Sequence, residues 1–471
     1  MPALPSPIPG SSFKQLARLS MDPYGLLEEA SQRAGGGPFT LQLPGHEPMV
    51  HFSSPAAMEE LVGLRYEQVQ RAAEPLQFLI GKHSLLHQHD AEHKEQRRGM
   101  SPPFVGERMR SYADDMVRIT DEELATWRPG ERLLLRDRMQ NITLRVILRC
   151  VFGMDAGPER DRLEALLVEY LAGMMTPTVF LAGLVFGPDR VRKGLMGLGS
   201  ARRAAVSAGL ETGPSRLPGK RMVDLLATID GLLDAEVVRC REAPEGREDI
   251  LALLVGMQKD GAPRYSDAEL NDHLHTMLVG GHETTAGTLM WALHLLLDRP
   301  DVVQALAAER AAHPEVDEDP SAVRRLPLLG GVVNEALRLY PIGTAVSRRL
   351  KEDSTIAGVE LPAGVLVCPC IYLAQRDPDV WEEPAAFRPE RWIDRRVRPW
   401  QFLPFGAGAW RCLGAPFAEL EMRIVLDRVL QSAAFERPPD SLPRATLRGF
   451  TVGADNGVPA VVRPLGASPE G

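Results

Sequence analysis

Helical periodicity through most of the chain, with β-like alternation confined to short runs, predicts a mainly α fold with a small β region. Apolar residues recur at helical spacing from Glu107 to Phe152, Arg160 to Met175, Ser266 to Asp298, 301–312, 327–339 and Ala415 to Gln431. The β-like runs are FTLQL at 39–43, MVHF at 49–52, three short runs within 346–373, and GFTVGADNGVPAVV at 449–462. No internal repeat or low-complexity linker separates these segments.

Residues 1–37 read as a Pro-rich lead-in followed by one helix, Tyr24 to Ala34, stopped by Gly35-Gly36-Gly37. FTLQL and MVHF flank Pro44-Gly45 and so read as a hairpin. Residues 176–220 are broken by Pro and Gly and have no clear period, which suggests a long loop with short helices, acting as a mobile lid. Between Arg190 and Arg221 that stretch holds eight basic residues and one acidic, Glu211. A solvated charged face and a membrane or partner contact both account for it.

Ser266 and Glu269 form a capping box, S-x-x-E, at the start of the longest helical pattern. Running to Asp298, that helix would measure roughly 50 Å at 1.5 Å per residue. Pro327 suits a first helical turn. Behind it Leu329, Val332, Val333, Ala336 and Leu337 repeat at i, i+3, i+4, i+7, i+8, one buried stripe. The last run, 449–462, reads as a terminal hairpin.

The chain has 471 residues and a formal net charge of −9, which argues against a general nucleic-acid binder. Five cysteines, odd in number and unpatterned, suggest a reducing cytoplasmic setting. No run of about 20 apolar residues suggests a membrane span.

The chemistry concentrates in FGAGAWRCLGAPF, Phe405 to Phe417, where one cysteine sits in a glycine-rich loop opening a helix. Gly406 and Gly408 allow close backbone approach. Helix-start N–H groups and Arg411 are expected to favour the Cys412 thiolate. A lone thiolate is a poor zinc site and a good axial ligand to haem iron. GGHETT, Gly280 to Thr285, puts two glycines inside the long helix at a cost of about 1 kcal/mol each. A locally opened helix and close packing at Gly280 and Gly281 explain them equally well. Glu283 and Thr284 just beyond supply an acid and a hydroxyl able to relay protons. Glu335 and Arg338 form an i, i+3 pair, and FRPERW at 387–392 offers Arg391 as the third member of a buried structural cluster. His93 and Arg97, four apart, suit a carboxylate. His87, His89, Asp90 and His93 imitate a metallohydrolase run, but the spacing is wrong and no outlying ligand suggests itself.

In order, H-x-x-x-R, G-G-x-E-T-T, E-x-x-R, F-x-P-E-R-W and F-G-x-G-x-x-x-C-x-G resemble the motif set of the cytochrome P-450 monooxygenases, from the first hairpin to the last. The resemblance implies one haem-thiolate domain over 38–471, with heme b between the long helix and the cysteine loop. Cys412 would be the proximal ligand and Phe405 would pack near its sulfur. His93, Arg97 and Arg348 match positions that hold the propionates, and Glu283 and Thr284 match the acid–alcohol pair that delivers protons. Trp410 stands where the family usually has Arg or His. Either its single N–H donates to a propionate or Arg411 turns inward. Gln375 stands where His is common, and no function attaches to it.

The implied activity is insertion of one oxygen atom from O2 into a hydrophobic small molecule such as a terpenoid, steroid, fatty acid or macrolide. Electrons would come from a separate ferredoxin or flavodoxin with its NAD(P)H reductase, docking on a basic face of Arg391, Arg395, Arg396, Arg398 and Arg411. A peroxide-driven peroxygenase and a haem-binding sensor are the alternatives. Candidate pocket walls are 70–86, Met277, Val279, Ile342 to Val346, and Thr451 to Gly453.

Overall fold

The computed structural model describes residues 4–72, 80–174 and 220–464. The lid expected at 176–220 lies outside the described residues except for Lys220, where a helix begins, and residues 73–79 of the 70–86 wall lie outside them too. Helices α1 (Ser12–Met21), α2 (Pro23–Arg33), α3 (Pro55–Gly63), α4 (Asp90–Met100), α5 (Arg108–Leu124), α6 (Leu135–Cys150) and α7 (Pro158–Met174) precede the gap. After it come α8 (Lys220–Glu242), α9 (Ile250–Gly256), α10 (Asp267–Leu296), α11 (Pro300–Ala311), α12 (Glu315–Glu318), α13 (Pro327–Leu339), α14 (Ile371–Ala374) and α15 (Ala415–Ser432).

The main sheet is built from β1 (Phe39–Leu41), β2 (Met49–Phe52), β3 (Val69–Arg71), β7 (Arg348–Leu350) and β10 (Leu366–Pro369), in the order β1-β2-β10-β7-β3. β2 and β10 run parallel, and the other pairs are antiparallel. A second sheet sets β14 (Pro459–Arg463) between β11 (Ala434–Glu436) and β4 (Arg132–Leu134). Three two-stranded ribbons complete the β structure: β5 (Gln258–Lys259) with β6 (Ala262–Pro263), β8 (Ser354–Ile356) with β9 (Val359–Leu361), and β12 (Ala445–Arg448) with β13 (Thr451–Ala454).

Two compact units emerge. One holds Met1–Ala72, His89–Thr143 and Gly281–Gly471, and the other Ala73–Gln88 and Leu144–Gly280. The first carries both larger sheets, α13 and α15. In the second, α8 packs on α7 and α9.

The structure corrects several expectations. The lead-in contains a helix of its own, α1, capped by the Ser11 side chain. The supposed helix from Glu107 to Phe152 is two helices, because a turn at Pro129-Gly130 and strand β4 divide α5 from α6. The final hairpin is β12–β13, while β14 leaves it to pair with β4 and β11. α10 is continuous through Gly280 and Gly281, so the glycines do not open it. A Cβ at Gly280 would meet nothing within 4 Å, whereas one at Gly287 would meet Ile342 Cδ1 at 3.0 Å. The capping box is as expected: Ser266 N–H donates to Glu269 Oε2 (2.9 Å) and Glu269 N–H to Ser266 Oγ (3.3 Å).

Glu335 and Arg338 are both fully buried. All five guanidinium N–H groups of Arg338 are used: two on Glu335, and the others on the carbonyls of Gln375, Pro384 and Ala386. Glu335 also accepts from Arg391 Nε (3.2 Å), Trp392 Nε1 (2.8 Å) and the Arg388 N–H (3.1 Å). Gly331 makes this contact possible, because a Cβ there would sit 2.2 Å from the Pro389 carbonyl oxygen.

Glu421 on α15 is the opposite case. It is fully buried, and neither carboxyl oxygen has a hydrogen-bond partner among the described residues. Burial pushes its pKa well above 4.5. The folded chain therefore keeps the proton while the unfolded chain releases it, so stability falls as pH rises above about 4.5 until the folded pKa is reached. Glu421→Gln should remove that contribution. In denaturant titrations upward from pH 5, stability relative to the parent should rise by up to about 1.4 kcal/mol per pH unit and level off where the parent's carboxyl ionises in the fold. Parallel curves would show that the carboxyl ionises in the fold.

Candidate functional site

The cysteine loop is shaped by Gly406 and Gly408, both at φ +66°. A Cβ at Gly408 would lie 3.0 Å from the Val62 carbonyl oxygen, so only glycine fits there without displacement. The Cys412 N–H donates to the Phe405 carbonyl at 2.8 Å, which ties Phe405 to the sulfur-bearing residue. α15 then begins at Ala415. At Gly414 no protein atom lies within 4 Å of where a Cβ would project, so protein packing alone does not demand the glycine.

Cys412 is exposed to a water-sized sphere, unlike the other four cysteines. The protein around it is nevertheless dense enough that burial pushes its thiol pKa up, against the Gly414 N–H and Arg71, Arg97 and Arg411, which pull it down. The expected preference for thiolate is thus not supplied by protein groups alone. A bound metal cation would supply it, since coordination deprotonates a thiol outright.

Around this loop the chain gathers cations without acids. Arg348 is buried, donates to the Leu61 carbonyl and to the Ala407 carbonyl (3.4 Å), and leaves its Nε without a partner among the described residues. Its guanidinium lies 5.2 Å from the centre of the Trp410 ring. Arg97 Nη1 donates to the Arg411 carbonyl at 2.6 Å. Arg71 ends β3. Burial lowers both Arg71 and Arg348 to about 10, the latter helped by repulsion from Arg71. None of Arg71, Arg97 or Arg348 forms a salt bridge with a carboxylate among the described residues.

His93 is buried, and its Nδ1 lies 2.7 Å from the Tyr66 hydroxyl. Burial, then Arg71 and Arg97, lower its pKa to about 4, so it is neutral near pH 7. A Tyr66 hydroxyl donating to Nδ1 leaves the imidazole proton on Nε2, as a donor. The Tyr66 ring meets Trp410 edge-on at 4.8 Å. Trp410 is buried and its Nε1 has no partner among the described residues, while Arg411 turns outward, with Nη2 3.9 Å from Glu419 and half its side chain exposed. Of the two ways to complete this side, the structure shows Arg411 turned away and the Trp410 N–H without a partner among the described residues.

On α10, Glu283 Oε2 accepts from Gln140 Nε2 at 2.6 Å. Glu283, Gln140, Arg136, Arg448 and Thr451 share a cavity with room for about one water molecule. The expected wall Thr451–Gly453 lines this small polar cavity, beside Gly287 and Met290. The Thr284 carbonyl accepts from Thr288 Oγ1 (3.0 Å), and the neighbouring Thr285 hydroxyl is buried without a partner among the described residues.

Of the predicted basic face, Arg391 is consumed by Glu335, and Arg395 donates to the Val380 carbonyl and stacks 4.3 Å from the Trp381 ring centre. Arg396, Arg398 and Arg411 remain exposed. No group of three or more His, Cys, Asp or Glu residues among the described ones could hold a metal. Sequence reasoning missed Tyr66, Arg71 and Gln140, whose partners lie far away in the chain. It also left Gln375 without a role. Gln375 Nε2 donates to the carbonyls of Leu337 and Arg338, and its Oε1 accepts from the Leu403 N–H, so it splices the end of α13 to the chain entering the cysteine loop.

Acid-free arginines, the orphaned N–H of Trp410 and a lone cysteine on one loop fit an iron porphyrin with two carboxylates. The family profile described as cytochrome P450 matches residues 2–189 and 216–457. The protein designated cytochrome P450 135B1 of Mycobacterium tuberculosis is 33% identical over 431 residues, covering 89% of this chain and 83% of its own length. Cytochrome P450 139 of the same species is 29% identical over 380 residues, 79% of this chain and 81% of the relative. Among solved structures, retinoic acid bound cyanobacterial CYP120A1 superposes with a TM-score of 0.80 at 21% identity, covering 98% of this chain and 99% of that one. The heme domain of cytochrome P450DA gives 0.78 at 22% identity, 98% of each. No described helix is long and apolar enough to cross a membrane.

Gln375→Leu should strand the Leu337 carbonyl and the Leu403 N–H in the core. The expected cost is about 2–4 kcal/mol by denaturant unfolding, from two buried groups left unpaired. A loss below about 0.5 kcal/mol would mean that the loop does not depend on this splice.

Proposed function

The chain belongs to the cytochrome P450 family, whose members are haem-dependent monooxygenases drawing on O2 and redox partners, and from that premise we propose that Cys412 ligates the haem iron. The carrying observation is the set of acid-free cations beside the Cys412 loop. When bound, the haem supplies O2 activation, with thiolate ligation favouring O–O cleavage.

In this reading Arg97, Arg348, His93 through Nε2, and the Trp410 N–H hold the porphyrin carboxylates, and Phe405 packs near the sulfur. Glu335, Arg338 and Arg391 fix the chain leading into the cysteine loop. Thr284 presents a hydroxyl to the reaction space, and Glu283, steadied by Gln140, passes protons toward it. Residues 38–471 act as one catalytic domain in the cytoplasm. The substrate is a hydrophobic small molecule that is hydroxylated or epoxidised, such as a terpenoid, steroid, fatty acid or macrolide. A separate ferredoxin or flavodoxin with its NAD(P)H reductase delivers electrons, and Arg396, Arg398 and Arg411 offer it an exposed basic contact. The Glu283–Thr284 pair favours this reading over a peroxygenase, which need not relay protons to O2.

Cys412→Ser should abolish the thiolate-type Soret band of the reduced CO complex, while substitution of Cys150, Cys240, Cys368 or Cys370 leaves it intact. Retention of the band in Cys412→Ser would remove the assignment. Thr284→Ala, assayed with the compound giving the largest spin-state shift in a screen of those four classes, should keep consuming O2 but divert it to peroxide. Coupling should fall within the roughly 10²–10⁴-fold range of a positioned proton donor. Unchanged coupling would refute the relay.

A further inference from the structure

The antiparallel pairing of β3 with β7 sets Arg71 directly opposite Arg348. Residues so placed project from the same face of the sheet with Cβ atoms about 5 Å apart, and like charges there destabilise the pair. In the fold Cys412 favours the Arg71 cation and Arg97 opposes it, and no carboxylate pairs with either arginine among the described residues. The Arg71 side chain has no hydrogen-bond or ion-pair partner among the described residues, and Arg348 has only carbonyls and an orphaned Nε. Arg97 adds repulsion at Arg71, and the Arg348 guanidinium lies over the Trp410 ring, two residues before Cys412. Keeping two guanidiniums desolvated and mutually opposed costs stability unless an anion completes the site. Arg411 does not contribute its head group, since it turns to Glu419.

We propose that Arg71 binds a carboxylate of the porphyrin and supplies the cation missing at Trp410. Trp410 can give one neutral N–H bond, whereas a guanidinium gives charge and a fork of donors. The pairing of Arg71 with Arg348 then becomes a clamp: the strand register that opposes the two cations also aims both at one anion. The proposal rests on the haem-thiolate reading, and it turns on a residue that no motif marks.

The test uses the purified haem protein in three forms: parent, Arg71→Met and Arg71→Lys. Haem transfer to excess apomyoglobin should run roughly ten- to a hundredfold faster from Arg71→Met, the loss of one charge-assisted contact. The resonance Raman bending band of the haem propionates should move in Arg71→Met and stay near the parent position in Arg71→Lys. Unchanged transfer and an unchanged band in Arg71→Met would overturn the proposal. So would faster transfer from both variants with the band unmoved, the signature of lost packing. Should Arg71→Met not accumulate as folded protein, Arg71→Gln carries the same comparison. Failure of the underlying reading looks different: the parent protein would show no thiolate-type CO band at all.

Discussion

Everything around the cysteine loop depends on one buried carboxylate. Glu335 is a full charge with no solvent access, a situation that survives only when every lone pair is engaged. Its partners come from two sources. Arg338 is on the same helix, while Arg388, Arg391 and Trp392 come from the segment that returns across that helix. Arg338 spends its remaining N–H groups on three carbonyls of that approach, from Gln375 to Ala386. A chain without regular secondary structure is thereby held by charge-assisted bonds instead of a ladder. Gln375 extends the same frame to Leu403, nine residues ahead of the sulfur.

The charges away from this centre divide into two kinds. Glu421 is an acid buried without a donor, and it answers by holding its proton. Arg348, buried, and Arg71, half-buried, are bases with no paired acid among the described residues, and a guanidinium has no comparable escape at neutral pH, because even a lowering to about 10 leaves it protonated. Electrostatic frustration of the first kind is settled inside the chain. The second kind needs something from outside it. That asymmetry separates a structural oddity from a binding site.

What could be read in the sequence was what lies close together in it. The Glu335–Arg338 pair is three residues apart, the Ser266–Glu269 box likewise, and the cysteine loop is a single continuous stretch. Each works through bonds made across a turn or two, so spacing alone exposes it. Tyr66 and Arg71 carry no such signal, because their meaning lies in partners on β7, α4 and the cysteine loop. The run from Glu107 to Phe152 was misleading for a related reason. Its helical period is genuine on both sides of Pro129-Gly130, and only pairing with β14 reveals a strand between the two helices. The glycines of α10 show a third limit: Gly287 is shaped by Ile342, a neighbour that periodicity does not show.

The placement of β14 has a consequence for how the molecule is assembled. It is the central strand of its sheet, with β11 separated from it only by the β12–β13 ribbon and β4 more than half the chain away. Its register with β11 is a local closure, whereas its register with β4 encloses most of the polypeptide and carries a correspondingly large entropic penalty. On a ribosome making the chain from its N-terminus, β4 must wait with an unpaired edge until Pro459–Arg463 has been synthesised. The division between α5 and α6 is therefore sealed last. Until then the short length of β4, three residues with Arg132 exposed, limits the template it offers to other chains.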